Sequence, residues 1–241
     1  SDLQFDSPYS NYSLNFDGST NYIEIDSIGP TISAMTEISI STWIKTTATT
    51  SGYVFFAGKY VDGYLGYFVR NTGILSGVVD LLSGNLSQVE STVTVNDGSW
   101  HNIILTFTNS SQEVKIYIDG LLNNSHAGTG TIPTNIIYAD IGQRSYNNDF
   151  RFNGKIDETS IFNYSLSEAQ ILEIYNNGKP GNLSNYSGTA PISWCRLGEN
   201  AYFDNNAITI PNSISGAPNG TGPGTVVNML SADAPGTYAN G

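Results

Sequence analysis

The stretch Asp97-Gly98-Ser99-Trp100-His101-Asn102-Ile103-Ile104-Leu105-Thr106-Phe107 is a turn that feeds a strand, and Val114-Lys115-Ile116-Tyr117-Ile118 is a second strand running straight into Asp119-Gly120. An Asp-Gly pair after such a run is what a type I′ hairpin needs, because both central positions must take φ above zero. That unit commits the middle of the chain to antiparallel pairing. The same grammar recurs along the sequence, with short or alternating apolar runs returning about every 8 to 15 residues between clusters of Gly, Asn, Asp and Ser. Strands are predicted over Tyr12–Phe16, Asn21–Ile25, Glu37–Lys45, Tyr53–Lys59, Tyr64–Arg70, Ile74–Leu81, Gln88–Val95, Trp100–Phe107, Glu113–Ile118, Ile136–Ile141 and Asn153–Phe162. The strand–helix–strand alternation of a parallel sheet is missing, so the class is all-β, a sandwich or jelly roll.

One helix interrupts this pattern. Ser167 supplies an N-cap, Gln170 the capping-box partner, and Ile171, Leu172 and Tyr175 an apolar stripe, while Gly178 and Pro180 provide the stop. Beyond Pro180 the texture turns rich in Gly, Asn and Pro, which divides the chain into a sandwich module over residues 1–182 and an extension over 183–241. Ile192–Leu197 and Ala207–Ile210 still read as strands and Gly216–Gly224 as an irregular loop, so the extension either packs on the sandwich or begins a further module.

Composition bounds the function. A chain of 241 residues with 39% hydrophobic and 12% charged residues can bury one large core. No apolar run approaches the roughly 20 residues of a membrane helix, so membrane insertion is not expected. A formal charge of −12 repels phosphate backbones, which argues against nucleic acid as a partner. Cys195, the sole cysteine, cannot form an intrachain bridge and reads as a buried inert thiol.

The W-H strand and the D-G hairpin are joined by Leu14-Asn15-Phe16-Asp17-Gly18, by Ile38-Ser39-Ile40-Ser41-Thr42-Trp43-Ile44-Lys45, by Phe152-Asn153-Gly154-Lys155-Ile156-Asp157-Glu158 and by Leu166-Ser167-Glu168-Ala169-Gln170-Ile171. In this order the pieces resemble the laminin-G / concanavalin A-like lectin modules, over about Tyr12 to Gly178. The resemblance implies a concanavalin A-like jelly-roll sandwich of two antiparallel sheets with one short helix, acting as a non-catalytic module that binds a glycan or another cell-surface ligand. Related sandwiches hold a structural calcium between the opening strand and the late I-D-E strand, and the resemblance carries that role onto Asp17 and Asp157. In the tail, Ser193-Trp194-Cys195-Arg196-Leu197-Gly198-Glu199, Ile210-Pro211-Asn212 and Val227-Asn228-Met229 resemble segments that accompany such modules in structural proteins of marine bacterial viruses. That likeness implies a fibre, spike or decoration protein at a virion surface or in the extracellular space, with other virion proteins or further copies of the chain as partners. A purely structural decoration module and a carbohydrate-active enzyme or its accessory domain are the alternatives.

Catalysis finds little footing in the residues. Glu24 and Asp26 would share one strand face, but the E-x-D-x-x-E pattern of laminarinase-type glycosidases needs an acid where Gly29 stands, and glycoside hydrolysis needs two cooperating carboxyls. Asp157 and Glu158 are adjacent, so a regular strand would point them to opposite faces and forbid a dyad. His101 has only His126 as a companion, with no third ligand at metal spacing. Neither a nucleophile elbow nor a phosphate loop occurs. Sugar recognition uses aromatic faces and polar groups on loops held by a rigid scaffold. Tyr60, Asp62 and Tyr64 in one predicted loop, and Arg144, Tyr146, Asn147, Asn148 and Asp149 in another, have that make-up. Turn chemistry with tyrosines packed on a strand edge accounts for the same residues equally well.

Overall fold

Strand pairing in the structure, a computed structural model, is antiparallel between all named strands and closes into two sheets. The structure describes residues 10–59, 62–80, 85–145, 149–204, 207–223 and 229–236. In chain order the elements are β1 (Ser13–Asp17), β2 (Ile23–Glu24), a helical turn α1 (Gly29–Ser33), β3 (Glu37–Lys45), β4 (Gly52–Lys59), β5 (Gly63–Val69), β6 (Ile74–Asp80) and β7 (Leu86–Thr94). They continue with β8 (Trp100–Thr108), β9 (Glu113–Ile118), β10 (Leu121–Ala127), β11 (Tyr138–Ile141), β12 (Asn153–Phe162), the helix α2 (Glu168–Tyr175), β13 (Ser193–Cys195), β14 (Tyr202–Asp204), β15 (Ala207–Ile210), β16 (Gly220–Gly222) and β17 (Leu230–Ser231). One sheet runs β10-β9-β8-β3-β12-β1-β17 with β13 also beside β12, and the other runs β14-β15-β16-β2-β11-β4-β5-β6-β7. This is the two-sheet antiparallel sandwich expected from the sequence.

Alternation fills the space between the sheets. Ile38, Ile40 and Ile44 of β3, Ile103, Leu105 and Phe107 of β8, and Phe55, Leu65 and Tyr67 across β4 and β5 are all fully buried in a single core. Tyr67 is satisfied inside it, donating its hydroxyl proton to Thr42 Oγ1 at 2.6 Å, as a buried phenol requires. The hairpin between β9 and β10 takes the expected form, with φ of 51° at Asp119 and 80° at Gly120 and Leu121 opposite Ile118.

The helix is capped as the sequence predicts, by a capping box of Ser167 and Gln170, and its end is marked by left-handed Asn176. Its buried stripe differs from expectation. Ile171 and Ile174 face inward while Leu172 is 50% exposed, because a residue adjacent to Ile171 is turned away by about 100° of helix. Ile171 and Ile174 pack with Ile104, Tyr117, Phe162, Leu183 and Trp194 into a second cluster over the outer face of β8, β9 and β12. That sheet is therefore covered on both sides, whereas among the described residues no such cluster covers the outer face of β4–β7.

The extension supplies strands to both sheets: β13 pairs with β12, β16 with β2, and β17 with β1. The stretch expected to be an irregular loop contains β16; of it, Gly224 lies outside the described residues. A Cβ at Gly220 would stand 2.6 Å from Ile23 Cγ2, and one at Gly222 would stand 2.5 Å from Tyr22 O. Only glycines fit that approach, and residues of no strand propensity hide the strand from a sequence reading. The polar edge strand β10, the turn α1 and β14 were likewise not anticipated. Among the described residues no helix is long and apolar enough to cross a membrane.

Candidate functional site

The open face of β4–β7 carries an aromatic floor. Residues two apart on a strand share a face, so Tyr64 and Phe68 of β5 project outward on either side of Gly66, and Val78 and Asp80 follow on β6 with Leu86 and Gln88 on β7. Tyr53 of β4 lies opposite Phe68, with ring centroids 4.9 Å apart, and Phe56 stacks on Tyr64 at 5.6 Å. Arg144 and Phe150, from the loop after β11, close one side, and all of these residues except Phe56, which backs Tyr64, line a cleft of about 210 Å³.

Arg144 is locked in place there. Its Nε and Nη2 donate to the two carboxylate oxygens of Asp149 at 2.9 and 2.8 Å, a bidentate pair that fixes the guanidinium plane. The same guanidinium lies 4.4 Å from the centre of the Phe150 ring and 6.0 Å from that of Tyr53. Burial, reinforced by Tyr64, pushes the Tyr53 hydroxyl far above its ordinary titration range, so it is a neutral phenol at any physiological pH. The cleft thus offers ring faces, a fixed cation, an acid and an amide in one concavity.

Of the residues singled out in the sequence, Tyr64 and Arg144 line this cleft and Asp149 positions Arg144. Asp62 is engaged elsewhere, by Lys59 at 3.0 Å and by Asn135 Nδ2 at 2.8 Å. Tyr60, Tyr146, Asn147 and Asn148 lie outside the described residues. Tyr53, Phe68, Asp80 and Gln88 lie on strands, where loop composition gives no sign of them. The signal was present in the alternation of β5, where Tyr64, Gly66 and Phe68 occupy the positions facing away from Leu65 and Tyr67.

A second constellation lies on the late strand. Asp157 and Glu158 were expected on opposite faces, yet their carboxylates, with that of Glu199, offer oxygens that all lie within 4.8 Å of one another. The pairing explains the correction: β12 matches Asp157 to Trp43 but Ser160 to Ser41, so one residue is extra, and Glu158 takes φ of 49°. This is a β-bulge, which re-aims side chains at the expense of the ladder. It falls where β12 exchanges β1 for β13 as its neighbour.

Glu158 is held by Trp194 Nε1 at 2.5 Å and Arg196 Nε at 2.9 Å, and burial still pushes it up to about 7. Glu199 accepts from Asn11 N at 2.5 Å and Ser10 Oγ at 2.9 Å. Asp157 is fully buried; Oδ1 accepts from Glu158 N at 2.8 Å, and among the described residues Oδ2 has no partner in hydrogen-bond geometry, although the Ser10 hydroxyl is close enough to favour the charged form. Burial, then the charges of Glu158 and Glu199, raise the Asp157 carboxyl well above the carboxylate range. An all-oxygen donor set with one orphaned buried oxygen suits a hard cation such as calcium.

Asp17 takes no part in that cluster. It pairs with Asn153, four residues up β12 from Asp157, roughly 13 Å along a strand. Its carboxylate caps its own turn by accepting from the backbone N–H groups of Ser19, Thr20 and Asn21. Slight burial works against ionisation, but those bonds and the Thr20 hydroxyl hold the group at about 2. Glu24 is exposed, and β2 ends before Asp26. Cys195 is buried, its thiol pushed up to about 12.

Residues 17–172 match the laminin-G type model of the concanavalin A-like lectin/glucanases superfamily, and the chain belongs to that superfamily. A protein of Rattus norvegicus, Sushi, von Willebrand factor type A, EGF and pentraxin domain-containing protein 1, is 29% identical over 177 residues, as is the protein of the same name from Mus musculus. The match takes in 67% of this chain and 5% of the rat protein. Among solved structures, a Bacteroides ovatus protein assigned to carbohydrate binding superposes with a TM-score of 0.67 at 16% identity, over 94% of this chain and 61% of that one. The CBM40 module of a Ruminococcus gnavus sialidase bound to α2,3-sialyllactose gives 0.56 at 15% identity, over 69% and 99%.

Proposed function

We propose that this chain is a non-catalytic glycan-recognition module whose ligand lies in the cleft on the outer face of β4–β7. The observation that carries the reading is the aromatic floor of Tyr53, Tyr64 and Phe68 beside an arginine immobilised by Asp149. Aromatic faces receive the C–H surfaces of sugar rings, and fixed polar groups orient the hydroxyls. The carbohydrate-binding proteins that share its fold support this choice of ligand. Asp80 is the sole carboxylate among the described lining residues, and hydrolysis of a glycoside by the usual route needs two, which supports binding without turnover.

The tail and the Asn-rich, Lys-poor composition support a place on a virion or another extracellular surface. A calcium ion held by Asp157, Glu158 and Glu199 would tie the opening segment and the extension to β12, a structural role away from the cleft. A glycan array probed with the purified chain tests the main reading. Specific binding lost in Tyr64→Ala and Phe68→Ala is the expected result. A folded chain that binds no glycan overturns it and leaves a structural decoration module, and released reducing ends would instead show an enzyme.

A further inference from the structure

Lys45 of β3 and Lys155 of β12 stand directly opposite each other, an arrangement in which like charges repel. Their side chains are only 32% and 25% exposed. In a chain with nine Lys and Arg against 21 acids, two cations set side by side require an anion. The structure shows one in place: the carboxylate of Asp233, from the segment after β17. Its Oδ2 accepts from Lys45 Nζ at 2.9 Å and from Lys155 Nζ, while Oδ1 accepts from the Trp100 indole Nε1 at 3.0 Å. Trp100 lies opposite Lys45 on the next strand, so three neighbouring strands of the framework aim donors at one point.

The charge balance there is uneven. Among the described residues two ammonium groups face one carboxylate there, whereas Lys59–Asp62, Arg70–Glu90 and Lys115–Glu113 match one to one. The donors belong to long central strands, but the carboxylate belongs to a tail paired to β1 through the two residues of β17, with further bonds from Asn15 N to Met229 O at 2.6 Å and from Ser13 Oγ to Asp233 O at 2.6 Å, so only the side chain of Asp233 has to leave. Beside the lysines a cleft of about 250 Å³ opens, lined by Thr47 and by the exposed Asn15 and Asn153. Amides and a hydroxyl next to a carboxylate-binding point are the groups that would hold the hydroxyls of a sugar ring.

We propose that Lys45, Lys155 and the Trp100 indole form a binding site for the carboxylate of an acidic saccharide, which Asp233 occupies in cis until such a ligand displaces it. The site lies on the covered sheet, on the opposite side of the sandwich from the aromatic cleft, and does not depend on the reading of that cleft. A tethered carboxylate competes at a high effective concentration, so removing it exposes the site's intrinsic affinity.

Calorimetric titration of the full chain with trigalacturonate, with cellotriose as the neutral control, tests this. Asp233→Asn is expected to bind trigalacturonate at least tenfold more tightly than the wild type. Adding Lys155→Gln to it abolishes that gain, and cellotriose titrates the wild type and Asp233→Asn alike. A folded Asp233→Asn protein that binds no better than the wild type, or a gain that survives the loss of Lys155, overturns the proposal. Should Asp233→Asn fail to fold, the indole N–H resonance of Trp100 in the wild type decides: a shift with trigalacturonate and none with cellotriose supports the site, and a signal unmoved by millimolar trigalacturonate rejects it.

Discussion

Asp157 and Glu158 are consecutive in one strand, and their carboxylates share a buried pocket because Glu158 adopts φ of 49° in a bulge. A non-glycine residue in that region is strained, and such strain persists where the surroundings over-determine it. Here the surroundings are Trp194 and Arg196 from the extension, which grip Glu158 from the far side. With Asp157 Oδ2 unpartnered among the described residues, a divalent cation should stabilise the fold. Calcium at about 100 times its dissociation constant would contribute about 2.7 kcal/mol, which raises the thermal midpoint by about 5 °C or more for a chain of this size. Differential scanning fluorimetry in calcium against chelator measures it. Asp157→Asn should abolish the difference, and a midpoint indifferent to calcium in the wild type would remove the metal from the account.

The aromatic cleft makes a separable prediction. Tyr64 and Phe68 are partly exposed on the sheet surface, so truncating either to Ala should weaken glycan binding at least tenfold, about 1.4 kcal/mol, while moving the thermal midpoint by only a few degrees. Arg144→Ala should lose binding as well and leave Asp149 without its bidentate partner. Binding titrations paired with unfolding curves check both. A Tyr64→Ala chain that binds as the wild type does would place the ligand elsewhere.

How far the sequence reaches is visible in these two sites. Strands such as Glu37–Lys45, Glu113–Ile118 and Asn153–Phe162 were predicted with their observed bounds, because apolar alternation and turn residues are local signals. The bulge is not local. Ile156 and Ile161 are five apart and both buried in the inter-sheet core, which strict alternation forbids, so one inserted residue was inferable in principle. Its effect on Glu158 depends on Arg196 and Glu199, some 40 residues away, and no local pattern reports that. The cleft was half legible for a different reason. Loop composition pointed to Arg144 and Tyr64, but the floor between them is made by cross-strand register, which places Tyr53 opposite Phe68.

The hairpin turn offers a backbone test. Gly120 has φ of 80°, and a Cβ there would meet Tyr175 Cδ1 at 2.8 Å. Gly120→Ala therefore combines left-handed strain with a clash against the ring that stacks on Trp43 at 5.9 Å. A loss of about 1–2 kcal/mol is expected, read from chemical denaturation. Gly216→Ala makes the control for conformation alone, since nothing lies within 4 Å of its Cβ position although φ is 81°. It should cost less than Gly120→Ala, and equal costs would mean that contact with α2 contributes nothing.

His101 gives the fold a pH dependence whose sign can be worked out. Its Nδ1 lies 2.8 Å from Asp119 Oδ2 and its Nε2 lies 3.2 Å from Asp97 Oδ1. The hydrogen bond to Asp119, opposed by partial burial and aided by both acidic charges, raises the imidazole above its usual 6.5. The folded state then holds the proton more tightly than the unfolded chain, so this stabilisation is fully present below about pH 6.5 and is lost as pH rises through the elevated folded value. Solvent reaches the pair, so the contribution is about 1 kcal/mol at most. Unfolding midpoints between pH 5.5 and 8.5, taken in chelator so that cation binding does not vary with pH, should fall by a few degrees more in the wild type than in His101→Gln. Parallel profiles for the two proteins would show that the neutral imidazole is held between Asp97 and Asp119 as firmly as the charged one.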